Sequence, residues 1–340
     1  MAVINSAEPK YDPRMLLKRM IPVVIFGWIV LIALALAGDL RVVSAYLSQF
    51  NWNFFPIALG FTLFNYSLRF LKWHFYTYQV GAKGLHWQHS LRLFVAGFPL
   101  AFTPGKVGEA IKAVWLKRAT GVPTARGVAV IVAERISDGL AVLALSVLGV
   151  VANPQYWLAF LIILVVLLGL VLVSQIRPLA LAVLDLGARM PLIKKIIPAL
   201  REFYEGSYSL FKPGTTFLAV GLGTISWLGE GIGFYFILRG LGLASSNELL
   251  ANAIFILAFS TIIGAVSALP GGLGASEASI AGMLVLVAGA DTALAAAATL
   301  LIRLATLWFG IFLGLLTWAV SPQLLDWKSV QKNPTKEESA

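Results

Sequence analysis

The sequence predicts an all-α, polytopic integral membrane protein, and three observations support this fold class. The 340 residues are 59% hydrophobic and only 12% charged, with a mean hydropathy of +0.85, which is too apolar for a chain that exposes its surface to water. Several windows reach the ~20 apolar residues that a helix needs to cross hydrocarbon. Lysine and arginine are alternately rich and sparse in successive loops, as the positive-inside rule expects.

This alternation predicts six full spans, with both termini on the cytoplasmic side of a cell inner membrane. The spans lie near residues 20–38, 54–73, 127–151, 156–175, 214–238 and 293–319. Basic residues precede the first span without a cleavage pattern, so we interpret it as a retained span. Residues 177–212 are predicted to form a basic cytoplasmic loop and residues 320–340 a cytoplasmic tail. The whole chain, 1–340, is predicted to be one membrane domain.

Two apolar stretches, 91–118 and 249–290, are left over, and each contains a Pro-Gly break in its middle. The first break reads "TPGKVGEA" (103–110) and the second "LPGGLGASEA" (269–278). Proline and glycine interrupt a helix, so each stretch is predicted to be a re-entrant helical hairpin. The helix-breaking residues are Pro104, Gly105 and Gly108 in the first break, and Pro270, Gly271, Gly272 and Gly274 in the second.

The two breaks belong to a longer internal similarity. Arg135 lies 135 − 109 = 26 residues after Glu109, and Arg303 lies 303 − 277 = 26 residues after Glu277. Broken helices at matching positions of two halves are typical of transporters. The loop charges predict that the first hairpin enters from the cytoplasmic side and the second from the outside, and these opposed entry sides indicate an inverted repeat. We predict pseudo-repeats over approximately 54–151 and 214–319.

The breaks also predict a polar cavity. A broken helix leaves backbone groups without partners, which is tolerated at membrane depth only against protein or a water-filled cavity. Half-helices that begin near Gly105 and Gly274 present N–H groups and the positive end of the helix dipole, and both favour an anion.

Charged side chains inside hydrocarbon cost about 2.5–3.5 kcal/mol each, so they normally face a cavity or one another. The charges after the two breaks are the predicted substrate-binding residues: Lys106, Glu109, Lys112, Glu134, Arg135, Asp138, Glu277 and Arg303. In the empty state the acids are expected to pair with the cations, or else to recognise a cationic part of a head group. Two interpretations of "AERISDG" (133–139) stay open: a salt-bridged cluster that locks helices together, or a role in head-group binding or proton-coupled gating.

Three further charges stand near or inside predicted spans. Glu230 lies deep in the fifth span, while Arg69 and Lys72 fall at the end of the second. We expect these two cations to snorkel to the lipid head groups. Trp73, beside them, is expected to anchor at the interface.

Several classes of function are disfavoured. The absence of cysteine excludes disulfides and thiolate chemistry, and "HWQH" (86–89) has no third ligand nearby, so no metal site is predicted. No cofactor motif is present. The net charge of +10 is spread over several loops, which argues against nucleic acid as a partner.

In order along the chain, "TPGKVGEAIKAVWL", "AERISDG", "LPGGLGASEA" and Arg303 in "LLIRLATLW" resemble the membrane, flippase-like region of the lysylphosphatidylglycerol synthase family. The resemblance covers nearly the whole chain. Lys106 and Lys112 stand where arginine is frequent in the family. A lysine preserves the positive charge but cannot bind a phosphate in the bidentate way that arginine does. The family's synthases carry a soluble aminoacyl-transfer domain after the membrane region, so the resemblance implies lipid translocation by a stand-alone member.

We therefore expect a flippase-like transporter, not an enzyme, that moves an anionic or phosphate-containing lipid between leaflets. The lipid would be a phospholipid or a polyprenyl-phosphate-linked molecule. One alternative is an intramembrane lipid-phosphate transferase with Glu134 or Asp138 as base. Another is an accessory subunit of a lipid- or glycan-synthesis enzyme. The predicted partners are the bilayer, the lipid substrate and either such an enzyme or a second copy of the chain.

Overall fold

The computed structural model describes residues 13–103, 108–152, 157–188, 190 and 194–321, and every regular element in these ranges is helical. The helices are α1 (Pro13–Ala37), α2 (Leu40–Gln49), α3 (Phe54–Gln79), α4 (Trp87–Ala96), α5 (Ala110–Thr120), α6 (Thr124–Ala152), α7 (Trp157–Gln175), α8 (Arg177–Ala188), α9 (Ile197–Leu210), α10 (Pro213–Gly240), α11 (Asn247–Val266), α12 (Ala275–Ala288), α13 (Thr292–Arg303) and α14 (Phe309–Val320). Short 3₁₀ turns occupy Phe98–Phe102 and Pro270–Gly272, and a π-helical turn joins α13 to α14. The predicted all-α class is confirmed.

Among the described residues, six helical segments are long and apolar enough to cross a membrane, which confirms a multi-pass membrane protein. They are α3, α7, α10, α11, Pro270–Ala288 and the continuous segment Thr292–Val320. The number equals the prediction, but the set differs. Both arms of the second predicted hairpin qualify separately, whereas the predicted span 127–151 is not among the six and the described part of the predicted span 20–38 qualifies only together with α2. α11 alone has 20 residues, about 30 Å of helix. The re-entrant course of the two hairpins stays a prediction.

The first predicted span continues into a second helix at a sharp angle. Residues Val24–Ala37 and Leu40–Gln49 together are apolar enough for one broken span and meet at 97°. Asp39 makes the corner with a φ of 59° and accepts a hydrogen bond from the N–H of Arg41 through its side chain. This side-chain cap starts α2, which the sequence had not predicted.

Two predicted boundaries were wrong. α3 runs to Gln79 instead of ending near residue 73, because no glycine or proline occurs between residue 73 and Gly81. The predicted loop 177–212 contains α8 and α9. α9 packs against α6 and buries Gly206 and Leu210, so its partly apolar face stabilises a helix where charge alone indicated a loop.

The most extensive helix contact joins α3 to α10. Glycines on α10 allow the close approach: a methyl group at Gly229 would lie 2.7 Å from the ring of Phe64, and one at Gly233 would lie 3.1 Å from Phe61. Asn65 donates to the carbonyl of Ser226 at 3.0 Å across the same contact. Small residues and interhelical hydrogen bonds are the usual basis of helix association in membranes.

The two predicted pseudo-repeats share one order of elements. In the first, a long helix (α3) is followed by a broken pair (α4 and α5) and another long helix (α6). In the second, α10 is followed by the broken pair α11 and α12 and by the α13–α14 segment. In both repeats, the second helix of the broken pair contacts the helix that follows it: α5 contacts α6, and α12 contacts α13. The inversion between the halves stays a prediction.

Candidate functional site

A cavity of about 400 Å³ opens where the two halves meet. Helices of both halves line it, and its wall includes Gly271 and Gly272 from the second break and Ala101 and Glu109 beside the first. Four cations and three acids reach the lining: Arg69, Lys112, Arg135 and Arg303, with Glu109, Asp138 and Glu230. The remaining wall is largely apolar. The sequence analysis predicted a cavity at the breaks, because a broken helix leaves backbone groups without partners.

At the second break, the predicted Glu277–Arg303 pair is formed and buried. Arg303 donates through Nε to Glu277 Oε1 at 2.6 Å and through a terminal nitrogen to the carbonyl of Gly271 at 3.1 Å. The other oxygen, Glu277 Oε2, accepts from the N–H of Gly274 at 2.7 Å. The side chain of Glu277 is only 2% exposed. Glu277 therefore supplies the anion that the helix N-terminus favours, and the anion site that we predicted here is filled by the protein itself.

The turn that precedes α12 packs closely against the backbone of α11. Gly271 and Gly272 have φ of 61° and 68°, in the left-handed region that glycine adopts at little cost. A methyl group on Gly272 would lie 3.1 Å from the Cα of Gly264 in α11 and 2.8 Å from Ser276 Oγ. Pro270 opens the 3₁₀ turn that leads into this approach. The predicted break is thus a tightly packed turn.

At the first break, the equivalent Glu109–Arg135 pair is looser. Arg135 Nε lies 3.7 Å from Glu109 Oε2, beyond hydrogen-bond distance, and the Arg135 side chain is 34% exposed. Gly108, at the far side of the break, donates its N–H to Thr103 Oγ1 at 2.7 Å. The predicted site residues Pro104, Gly105 and Lys106 lie outside the described residues.

Two lysines neutralise the acids of α6. Lys112 Nζ contacts Glu134 Oε2 at 3.1 Å and lies 4.0 Å from the ring centre of Trp73. Lys72 Nζ contacts Asp138 Oδ1 at 2.5 Å, and both side chains are buried. The four predicted acids each lie against a cation. Their binding of a substrate stays a prediction.

The expectation that Arg69 and Lys72 snorkel was wrong. Lys72 is 1% exposed, since α3 continues past it and carries it into the protein interior. Arg69 lies 3.7 Å from Asp138 Oδ2 and 5.6 Å from the ring centre of Trp227, and it lines the cavity. Trp73 is fully buried under Lys112 instead of anchoring at the interface. Arg69 is therefore a site residue that the sequence analysis had set aside.

Glu230 is a second residue that the prediction of the site left out. It is 7% exposed and lines the cavity from α10. Its depth in a span was visible in the sequence, but Glu230 belongs to neither break motif. An ionisable residue inside a span is by default a functional candidate, and that signal would have found it.

A π-helical turn follows Arg303 at Leu304–Trp308. The Tyr66 hydroxyl donates to the carbonyl of Thr306 at 2.8 Å, and Tyr66 lines the cavity. Single π turns often occur at functional sites, because they release backbone groups from the regular ladder. Here the hydrogen bond from Tyr66 joins the turn that follows Arg303 to α3.

The family model described as the lysylphosphatidylglycerol synthase TM region matches residues 19–314. No curated protein and no solved structure matches the chain.

Proposed function

Because the chain belongs to the lysylphosphatidylglycerol synthase TM-region family, we propose that it moves a lipid with an anionic, phosphate-containing head group between leaflets. The family connects the chain with membrane lipids. The proposal adds the transport activity and the charge of the head group. Either a phospholipid or a polyprenyl-phosphate-linked lipid has this chemistry.

The observation that carries the proposal is the joint lining of the cavity. Arg135 from one half and Arg303 from the other face the same space of about 400 Å³, which is large enough for a head group. Arginine suits a phosphate because its planar fork engages two oxygens. A cavity that presents an arginine from each half can keep hold of one phosphate while the halves rearrange around it.

The head group would first engage the cations that are most loosely held. Arg135 is a third exposed and 3.7 Å from its carboxylate, and Arg69 shares Asp138 with Lys72. A phosphate that displaces Glu109 from Arg135 exchanges a weak ion pair for a charge-assisted hydrogen bond. The acyl chains would follow the apolar wall formed by Val142, Leu167 and Ile311 and remain in the bilayer.

We propose that this activity involves no chemical change of the lipid. In the alternative of a transferase, Glu134 or Asp138 would act as base. Glu134 is bound to Lys112 and does not line the cavity, and Asp138 is bound to Lys72. A base must reach the proton that it abstracts, so the geometry favours transport.

We also propose a cell inner membrane location with both termini in the cytoplasm, in keeping with the alternation of basic loops. A lipid- or glycan-synthesis enzyme, or a second copy of the chain, is the expected partner.

The test is translocation of phosphatidylglycerol with a fluorescent acyl chain in proteoliposomes, followed by chemical reduction of the outer-leaflet label. Arg135→Ala and Arg303→Ala should each slow translocation at least tenfold. Arg201→Ala is the matched control, since Arg201 pairs with Asp185 on exposed helix surfaces away from the cavity. Equal rates for correctly folded Arg135→Ala and for the control would contradict the proposal. Mass spectrometry of the recovered lipid distinguishes transport from transfer, because only a transferase changes its mass.

A further inference from the structure

Glu230 is the acid in the cavity that lacks a cation of its own. It is the eighteenth residue of α10 (230 − 213 + 1 = 18) and is 7% exposed. Within the described parts of the chain, no hydrogen bond or ion pair reaches its carboxylate. By contrast, the acids of the two break motifs and of α6 each contact an arginine or a lysine.

The groups that face Glu230 come from three of the helices packed against α10. The titratable groups that interact electrostatically with Glu230 are Tyr66 and Arg69 on α3, Asp138 on α6 and Arg303 on α13. The α11 wall of the cavity adds apolar and hydroxyl side chains, among them Ser260 and Thr261. Arg303 and Arg69 already have carboxylates of their own, so neither is dedicated to Glu230.

Glu230 and the head group would occupy the same cavity. Entry of an anionic head group therefore brings a second negative charge close to Glu230. An uncompensated charge at membrane depth is costly, and a neighbouring anion disfavours the ionised form of a carboxylic acid. One proton on Glu230 removes one of the two charges.

We propose that Glu230 binds the proton that accompanies the anionic head group, so that lipid and proton cross the membrane in the same direction. This inference rests on the proposed transport function. The carboxylate takes up one proton as the phosphate enters and releases it as the phosphate leaves, with no covalent step. Glu230 is the acceptor because each of the other described acids of the site lies within 4 Å of a cation, whereas Glu230 has no such partner among the residues that the structure describes. Proton and lipid binding are then thermodynamically linked.

The first experiment uses the unmodified protein in proteoliposomes that contain labelled phosphatidylglycerol and an entrapped pH dye. We expect inward lipid movement to acidify the lumen, and an imposed inward proton gradient to accelerate it. Binding of the labelled lipid should weaken about tenfold per pH unit on the alkaline side of the Glu230 titration, as linkage to a single proton requires. Lipid movement without proton movement would overturn the inference and leave the transport function standing. Absence of any lipid movement would overturn the proposed function itself.

The second experiment uses Glu230→Gln, a neutral group of the same shape. The variant should still exchange labelled phosphatidylglycerol between leaflets, but without luminal acidification and with a binding constant that no longer varies with pH. Glu248→Gln is the matched control, because Glu248 is an exposed glutamate at the start of α11 and its loss should leave the coupling unchanged. A Glu230→Gln variant that keeps the pH dependence would overturn the inference. So would one that binds no lipid at any pH, since the carboxylate would then be needed for lipid binding itself. If the variant does not fold, the proton measurement on the unmodified protein decides alone.

Discussion

The two helix breaks carry one motif but hold their arginines very differently. At the second break, Glu277 uses one oxygen for Arg303 and the other for the N–H of Gly274, and the Arg303 side chain is 12% exposed. At the first break, Glu109 lies 3.7 Å from Arg135, whose side chain is 34% exposed. The flanking helices differ as well: α4 and α5 have 10 and 11 residues, whereas α11 and α12 have 20 and 14.

The difference indicates a division of roles within the pair. The second arginine is bound on several sides, including the carbonyl of Gly271, and so it stabilises the local fold. The first arginine exchanges partners at little cost, because a partly exposed ion pair contributes about 1 kcal/mol or less. We infer that the head group binds first at Arg135, and that Arg303 acts as the fixed end of the site.

The largest expected effect is the difference in free energy of unfolding between variants of Glu277 and of Glu109. Glu277→Ala should lower the free energy of unfolding by about 3–5 kcal/mol, because it leaves Arg303 buried without its carboxylate. Glu109→Ala should lower it by less than Glu277→Ala does, because Arg135 is a third exposed and lies 3.7 Å from Glu109, so it can be solvated when the carboxylate is removed. Thermal unfolding in detergent, followed by tryptophan fluorescence, compares the two variants. Equal losses would contradict the division into a rigid and an exchangeable pair.

Glycine substitutions test the backbone of each break. Gly272→Ala should cost about 2–3 kcal/mol, because it forces a side chain into a left-handed conformation against the backbone of Gly264. Gly108→Ala should cost less, about 1–2 kcal/mol, since the three atoms nearest to the added methyl group belong to the Thr103 side chain, whose shift would lose one hydrogen bond. Gly282→Ala is the control on α12: nothing lies within 4 Å of the new methyl group, so its thermal midpoint should hold or rise.

The exchange of partners at Arg135 has a direct consequence for binding. Glu109→Gln removes the charge that competes with the phosphate for Arg135, so binding of labelled phosphatidylglycerol should tighten about fivefold, equivalent to ~1 kcal/mol. The same change at Glu277 should not tighten binding, because Arg303 is also held by Gly271. A titration of lipid fluorescence against protein measures both constants. Weaker binding by Glu109→Gln would show that the carboxylate itself contacts the ligand.

The smallest effect concerns the turns that lead into the arginine-bearing helices. Asp291 caps α13 by accepting from the N–H groups of Ala293 and Leu294, whereas the corresponding turn before α6 ends α5 at Gly121 in a left-handed conformation. The Tyr46 hydroxyl, 2.6 Å from Asp291, and these N–H groups lower the pKa of Asp291. A lowered pKa means that the cap stabilises α13 above the ordinary value of 3.8 and is lost as the pH falls through the lowered value.

Asp291→Ala should therefore cost about 0.5 kcal/mol at pH 7, the lower end for an exposed cap. The difference between variant and parent should vanish in strong acid. Thermal midpoints measured from pH 7 down into strong acid, well below pH 3.8, test this, and Asp185→Ala, an exposed aspartate within α8, provides the control. A difference that stays constant with pH would assign the effect to packing instead of the carboxylate.

Much of the site could be predicted because its parts lie in matching places along the chain. The spacing of 26 residues placed Glu277 and Arg303 on successive helices, and their pairing was among the expected outcomes. The partnership of Lys72 with Asp138 was not predictable in this way, since it joins α3 to α6 across 66 residues. Lys72 looked like a residue at a span end, and only the unbroken course of α3 to Gln79 carries it inside.

The sequence by itself determined that this chain is helical, spans a membrane and interrupts two of its helices with proline and glycine. These properties follow from local hydrophobicity and backbone sterics, which act within a few residues. Only the tertiary structure decided which cation meets which acid, that Glu277 fills the helix end predicted to receive an anion, and that no cation among the described residues pairs with Glu230. Coulomb attraction and desolvation depend on distances between helices, and those distances are set by packing across the whole fold.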